Sequence, residues 1–192
     1  FLGSAMLEGH RGGQDWSSRF EVSSLTSSTD TFTFTAKDPH LALELTGEIS
    51  IDRYGILRWI NTLTNHGEDY TLNALRYWLP LSDRASERMD FFGRWSNERQ
   101  PQRSAIEVGT FSRESREGRS GHNFTIGSLA LEKGANFSSC AVWSVALAHS
   151  GNSAHQIEMS YEGEQWIGAS EILFPGEVIL KRGERYQAPA LV

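Results

Sequence analysis

Cysteine is nearly absent: Cys140 is the only one in 192 residues. A lone thiol excludes an intrachain disulfide framework and makes a reducing compartment, the cytoplasm, the expected location. No apolar run approaches the ~20 residues that a bilayer-spanning helix needs, so a membrane is not an expected partner. The first residues, Phe1 to Glu8, offer neither the basic flank nor the apolar run of a signal peptide. There is no Met at position 1 either, and a leading part of the protein is expected to be missing. Excess positive charge is lacking as well. The formal net charge is −6, which leaves no global field to attract nucleic acid or an anionic membrane.

The signatures of a catalyst are missing too. The sequence holds no G-x-S-x-G, phosphate loop, H-E-x-x-H or dinucleotide fingerprint. Its histidines (His10, His40, His66, His122, His149, His155) are scattered without metal-site spacing, and neither metal nor cofactor is expected. Ser120-Gly-His122 resembles a hydrolase pair only in adjacency, which does not place a base on a nucleophile. Glu162 and Glu164 flank a turn glycine, and the sequence gives no separation for them. Two N-glycosylation sequons, Asn123-Phe-Thr125 and Asn136-Phe-Ser138, are read as chance without a secretion signal.

What is present is period-2 alternation. Phe32, Phe34 and Ala36 alternate with threonines, Leu41, Leu43 and Leu45 with Ala42 and Glu44, and Ile157, Met159 and Tyr161 with Glu158 and Ser160. In an extended strand each set points to one face, as in a half-buried sheet. Phe137 to Ala148 is apolar on both faces and predicts a central strand, with Cys140 as inert core and Trp143 buried. Turn signals interrupt these runs at Asp52-Arg-Tyr-Gly55, Asn65-His-Gly67, Ser150-Gly-Asn152, Glu162-Gly163, Pro175-Gly176 and Arg182-Gly183. The pattern predicts an all-β fold, a sandwich or a barrel, and not an α/β one. One short helix is expected, capped by Asp83, with Ala85, Arg88, Met89 and Phe92 on one face. The Gly-rich start, 1–19, reads as a loop, and 192 residues suit one domain.

Eight arginines crowd between Arg84 and Arg119, with six acids among them and no lysine. The near balance argues against a nucleic-acid stripe. The planar guanidinium suits bidentate carboxylate pairing, so the segment reads either as a polar contact surface or as a solvated loop with surface salt bridges. Within it, Gly93-Arg94-Trp95-Ser96-Asn97-Glu98-Arg99 combines a glycine for close approach, a flat apolar anchor and charges able to pair.

That run continues as Gly-Arg-Trp-Ser-Asn-Glu-Arg-Gln-Pro (93–101) and then Gly109-Thr-Phe-Ser-Arg-Glu-Ser-Arg-Glu-Gly-Arg-Ser-Gly-His122. Trp143-Ser-Val-Ala-Leu-Ala-His-Ser-Gly-Asn152, Leu173-Phe-Pro-Gly-Glu177 and Tyr186-Gln-Ala-Pro189 follow, with Ile51-Asp-Arg-Tyr-Gly-Ile-Leu57 and Leu63-Thr-Asn65 upstream, and Gly9-His-Arg-Gly12 and Asp15-Trp-Ser17 more loosely. In order and spacing these resemble the N-terminal β-sandwich domain of glycoside hydrolase family 36, the bacterial-type α-galactosidases. The family's Asn-Pro after Ser-His is replaced in Ser120-Gly-His-Asn-Phe-Thr125.

The resemblance implies an all-β, antiparallel two-layer supersandwich, galactose-mutarotase-like, over 1–192, preceding a (β/α)8 barrel on the same polypeptide. That barrel, expected beyond 192, would carry two catalytic aspartates and cleave terminal α-galactosides with retention. The resemblance also implies a homo-oligomer, a tetramer, with the α-galactoside bound mainly by the barrel. No catalytic role falls on this chain. Arg94, Trp95, Glu98, Arg99, Gly151 and Asn152 are the expected domain-interface or sugar-proximal residues. The alternative reading is a free-standing carbohydrate-binding sandwich using exposed tryptophans.

Overall fold

The computed structural model describes residues 5–124 and 127–192. Every regular element in it is a β-strand, and all strand pairs are antiparallel. The chain divides into two compact units.

The terminal unit joins Met6–Leu75 to Ile172–Val192. Its five-stranded sheet runs β16 (Arg185–Gln187), β5 (Leu57–Asn65), β4 (Leu43–Ile51), β3 (Thr31–Asp38), β2 (Glu21–Ser27). Its three-stranded sheet runs β1 (Leu7–His10), β6 (Tyr70–Leu75), β15 (Val178–Leu180). The expected alternation holds: register sets Phe32 opposite Ile49, Phe34 opposite Gly47 and Ala36 opposite Leu45, all on one face. Leu41, Leu43, Leu45, Leu63 and Leu72 are buried. Each such side chain contributes about 1.5–3 kcal/mol on leaving water.

Asn65 clamps this unit. It is fully buried, yet its amide donates to the carbonyls of Glu68 and Leu180, both at 2.7 Å. Its side-chain oxygen accepts from Arg11 Nη2 at 2.8 Å and from the Gly67 N–H at 3.0 Å. A turn residue read from sequence thus ties β5 to the chain of the other sheet. Asp52 closes the β4–β5 turn by accepting the N–H groups of Tyr54 and Ile56, and Gly55 takes φ 82° there.

The loop expected over 1–19 is corrected in part. Residues 1–4 lie outside the described residues, but Leu7–His10 form β1, with Leu7 and Gly9 buried. A Cβ on Gly9 would stand 2.5 Å from the Tyr70 hydroxyl, so glycine lets the strand lie against that ring. Burial pushes the Tyr70 phenol up to about 12. A four-residue strand is too short to show a period.

The central unit holds Arg76–Glu171 together with Ala5 from the start of the chain. One sheet runs β10 (Gly109–Ser115), β13 (Ser153–Met159), β14 (Gln165–Glu171), β7 (Tyr77–Leu81). The other runs β12 (Val142–Ala146), β11 (Gly127–Glu132), β8 (Ala85–Arg94), β9 (Asn97–Ala105). The short helix expected after Asp83 is instead the start of β8. Ladder pairing to β9 and β11 takes Ala85–Arg94, which puts neighbours Arg88 and Met89 on opposite faces; tertiary pairing overrides the weak local preference.

The central strand expected over 137–148 is also corrected. Only Val142–Ala146 are extended, and β12 is an edge strand. Phe137 and Cys140 are exposed and Trp143 is half-buried. Cys140 takes φ 73°, which breaks the extended backbone before the strand starts. The strand buried on both faces is β13, from Ser153 to Glu158. Tyr161, expected in line with Ile157, is exposed in the turn beyond it.

Candidate functional site

The hairpin of β8 and β9 turns at Trp95 and Ser96, between paired Arg94 and Asn97. The pairing then jumps to Phe92 and Gln100, so Glu98 and Arg99 bulge opposite Gly93. Ser96 (φ 64°) and Arg99 (φ 54°) both sit in the left-handed region, a strained state for non-glycine residues. Gly93 lies under a second segment, the loop 116–124. A Cβ there would stand 2.6 Å from the Asn97 carbonyl oxygen and 2.8 Å from that of His122. The glycine of the Gly-Arg-Trp run is therefore required by packing.

Four further contacts fix that loop. His122 Nδ1 lies 3.4 Å from Glu98 Oε1, which also accepts the Ser96 N–H at 3.0 Å. The Trp95 ring meets His122 edge-on, with centroids 5.5 Å apart. On the far side, Asn152 Oδ1 accepts the Gly118 N–H at 2.8 Å and the Ser150 carbonyl accepts the Ser120 N–H at 3.1 Å. Gly151 packs on the His149 imidazole, where a Cβ would come within 2.3 Å.

Arg94, Trp95, Glu98, Arg99, Gly151 and Asn152 thus belong to one construction within the central unit. Glu98 and Trp95 hold His122 directly. Asn152 holds the other end of the same loop, and Gly151 sits beside it in the turn, against His149.

Two adjoining cavities open there, of about 640 Å³ and 810 Å³, sharing Ser120, Gly121 and His122 in their walls. Phe91, Phe124 and Leu129 give the first an apolar floor, with Glu98 and Arg99 beside it. Arg94, Glu117 and Arg119 line the second. Ser120 and His122 do not form a nucleophile and base: Ser120 Oγ has no hydrogen-bond partner among the described residues, and His122 Nδ1 faces Glu98. No His, Cys, Asp and Glu cluster suited to a metal occurs among the described residues. Sequence reading missed Glu117, Gly118 and Arg119 as parts of this site; the Glu-Gly step at 117–118 was the available signal.

The arginine window resolves into two groups. Arg84 pairs with Glu132 at 2.8 Å, Arg103 with Glu87, and Arg116 with Glu114 at 2.9 Å. Arg88 and Arg113 converge on Asp90, at 4.0 and 3.6 Å. Asp90 is buried, and Arg88 also lies over the Phe111 ring at 3.4 Å. The Ala141 N–H and then Arg84 hold the Glu132 carboxyl below its usual range. Arg94, Arg99 and Arg119 are exposed. They have no carboxylate partner among the described residues.

The second sequon's Asn136 is spent in a turn, its amide on Ser139 Oγ at 2.9 Å and its oxygen on the Ser138 N–H at 2.8 Å. Thr125 of the first lies outside the described residues. Glu162 and Glu164 are both exposed around Gly163. In the core of this unit His155 is buried against Phe124, ring centroids 5.6 Å apart. Burial lowers its pKa to about 4.

Comparison with known proteins places these observations in a family. The model of the glycosyl hydrolase family 36 N-terminal domain matches residues 2–181, running through parts of both units. An alpha-galactosidase from Escherichia coli is 33% identical over 186 residues, covering 96% of this chain and 26% of that protein. Among solved structures, the alpha-galactosidase AgaA from Geobacillus stearothermophilus superposes with a TM-score of 0.85 at 18% identity, over 99% of this chain and 30% of its own. The alpha-galactosidase from Lactobacillus brevis gives 0.83 at 19% identity, over 99% and 28%. The chain therefore spans about a quarter to a third of the length of the relatives it matches.

Proposed function

The chain belongs to the glycosyl hydrolase family 36 N-terminal domains, and from that premise we propose that it is the non-catalytic N-terminal domain of an α-galactosidase. The carrying observation is the asymmetry of coverage: 96% of this chain aligns with 26% of a protein named alpha-galactosidase. The chemistry then belongs to a (β/α)8 barrel on the same polypeptide, which hydrolyses terminal α-galactosides with retention and binds most of the sugar. The domain braces that barrel and helps assemble a homo-oligomer, a tetramer, in the cytoplasm. Residues 1–192 act as one domain in this reading, because the family match runs through both units.

The hairpin and loop built from Arg94, Trp95, Glu98, Arg99, Gly151 and Asn152 serve as a contact surface. Trp95 is 78% exposed, and exposed Trp and Arg are the residue types that anchor protein interfaces. Ser96 and Arg99 of the same hairpin keep left-handed backbone conformations, a costly state that functional surfaces often retain.

The test has two arms. The 192-residue chain alone is assayed with an aryl α-galactoside, and the reading expects no turnover. The same chain supplied with an Escherichia coli-type catalytic portion lacking its own N-terminal quarter is expected to restore activity or assembly. Turnover by the chain alone, in preparations free of contaminating enzyme, would overturn the proposal.

A further inference from the structure

Five of the eight arginines between Arg84 and Arg119 have carboxylate partners. The three without one, among the described residues, are not scattered. Arg99 lines the first cavity, and Arg94 and Arg119 line the second. The two share the wall Ser120-Gly121-His122.

We propose that these adjoining cavities form a receptor for the carboxylates of an acidic protein segment, bound by the guanidinium forks of Arg94, Arg99 and Arg119. The proposal rests on reading this face as a contact surface and adds the chemistry of what it contacts. Guanidinium groups present paired N–H donors that match a carboxylate bidentately. The two acids in the cavity walls do not neutralise them. Glu98 is turned to Ser96 N–H and His122, and Glu117 Oε1 accepts from the Asn123 amide at 3.1 Å. Arg99 is held in a left-handed conformation, and among the described residues no ion pair offsets it. A partner's carboxylate supplies that offset. Trp95, edge-on to His122 at the same hairpin, gives the partner a flat apolar contact beside the charges.

The probe is hexaglutamate, titrated into the 192-residue chain at low ionic strength by calorimetry. The chain carries a net charge of −6, so unspecific attraction works against binding and saturation is diagnostic. The expected result is saturable binding that weakens by at least about tenfold in the Arg94→Gln/Arg99→Gln/Arg119→Gln variant. Arg84→Gln, whose side chain is already paired with Glu132, should change it by less than about twofold. All three target side chains are exposed, and Arg94→Gln and Arg119→Gln, tested singly, avoid the strained bulge. Hexaglutamate that fails to saturate, an unaffected triple variant, an equal loss in Arg84→Gln, or raffinose displacing the peptide would each overturn the proposal. Loss of hexaglutamate binding alongside intact restoration of galactosidase activity would remove the acidic partner and leave the domain's function standing.

Discussion

Asn152 reaches across from the turn after β12 to take the Gly118 N–H on its side-chain oxygen at 2.8 Å. That bond and the close fit of Gly93 beneath His122 hold one loop at both ends, and the loop forms the shared wall of two cavities. Replacing Asn152 by Ala hands an exposed backbone donor to water and is expected to cost about 0.5–1 kcal/mol, the net worth of one such bond. Limited proteolysis should then cut within 116–124 before the rest of the central unit. Cleavage at the same rate as in the parent chain would contradict the assigned role of Asn152.

Gly93→Ala tests the other end. Its Cβ would meet backbone atoms of Asn97, Glu98 and His122 at 2.6–2.8 Å, and backbone cannot rotate aside as a side chain can. A loss of about 1–3 kcal/mol is expected on denaturant titration. The Trp95 environment should change with it, read by fluorescence.

Asn65→Ala should be the most damaging single change in the terminal unit. It leaves the carbonyls of Glu68 and Leu180 without the Asn65 amide and removes an acceptor from Arg11 and Gly67. A cost of about 3 kcal/mol or more is expected from several buried groups losing their partner together. Equilibrium unfolding measures it, and a change below about 1 kcal/mol would contradict the clamp.

His155 predicts an acid dependence of stability. Burial lowers its pKa from 6.5 to about 4, so between those values the unfolded chain binds the proton and the folded chain does not. Its contribution is present above pH 6.5 and is lost as pH falls through that window, by about 3 kcal/mol at pH 4. Denaturant midpoints across pH 4–7 should flatten in His155→Phe, which cannot be protonated. An unchanged slope would assign the acid sensitivity elsewhere.

Cys140 is exposed, and a thiol reagent should modify one equivalent in the folded chain without denaturant. Burial, the expectation from its apolar surroundings in sequence, predicts that modification waits for unfolding.

Much of the fold was legible because a sheet writes itself locally. Leu43 and Leu45 alternate with polar neighbours, and Asp52, Asn65 and Gly163 mark turns by their own backbone chemistry. Failures occurred where partners distant in sequence decide. Local composition points the wrong way here: Val142–Ala146 is largely apolar yet lies at a sheet edge, while β13, buried from Ser153 to Glu158, carries His155, Gln156 and Glu158. The stretch after Asp83 carried a faint helical spacing, and pairing with β9 and β11 overrode it. At the site, the motif residues Arg94 to Arg99 were visible as a run. The partners that complete it, Gly118 and Arg119, come from a loop whose approach depends on Gly93 lacking a side chain, and only coordinates reveal that fit.

The terminal unit is assembled from two stretches far apart in the chain, with β15 on β6 and β16 on β5, while every strand of the central unit lies in the one stretch Arg76–Glu171. During synthesis the central unit possesses every one of its strands once Glu171 has emerged. The terminal unit must wait for Val178–Gln187, holding β5 and β6 with open edges meanwhile. A ribosome pausing in that interval would leave a finished insert carried by an unfinished host, and a stop before Val178 would take one strand from each of the host's two sheets without removing any strand from the insert.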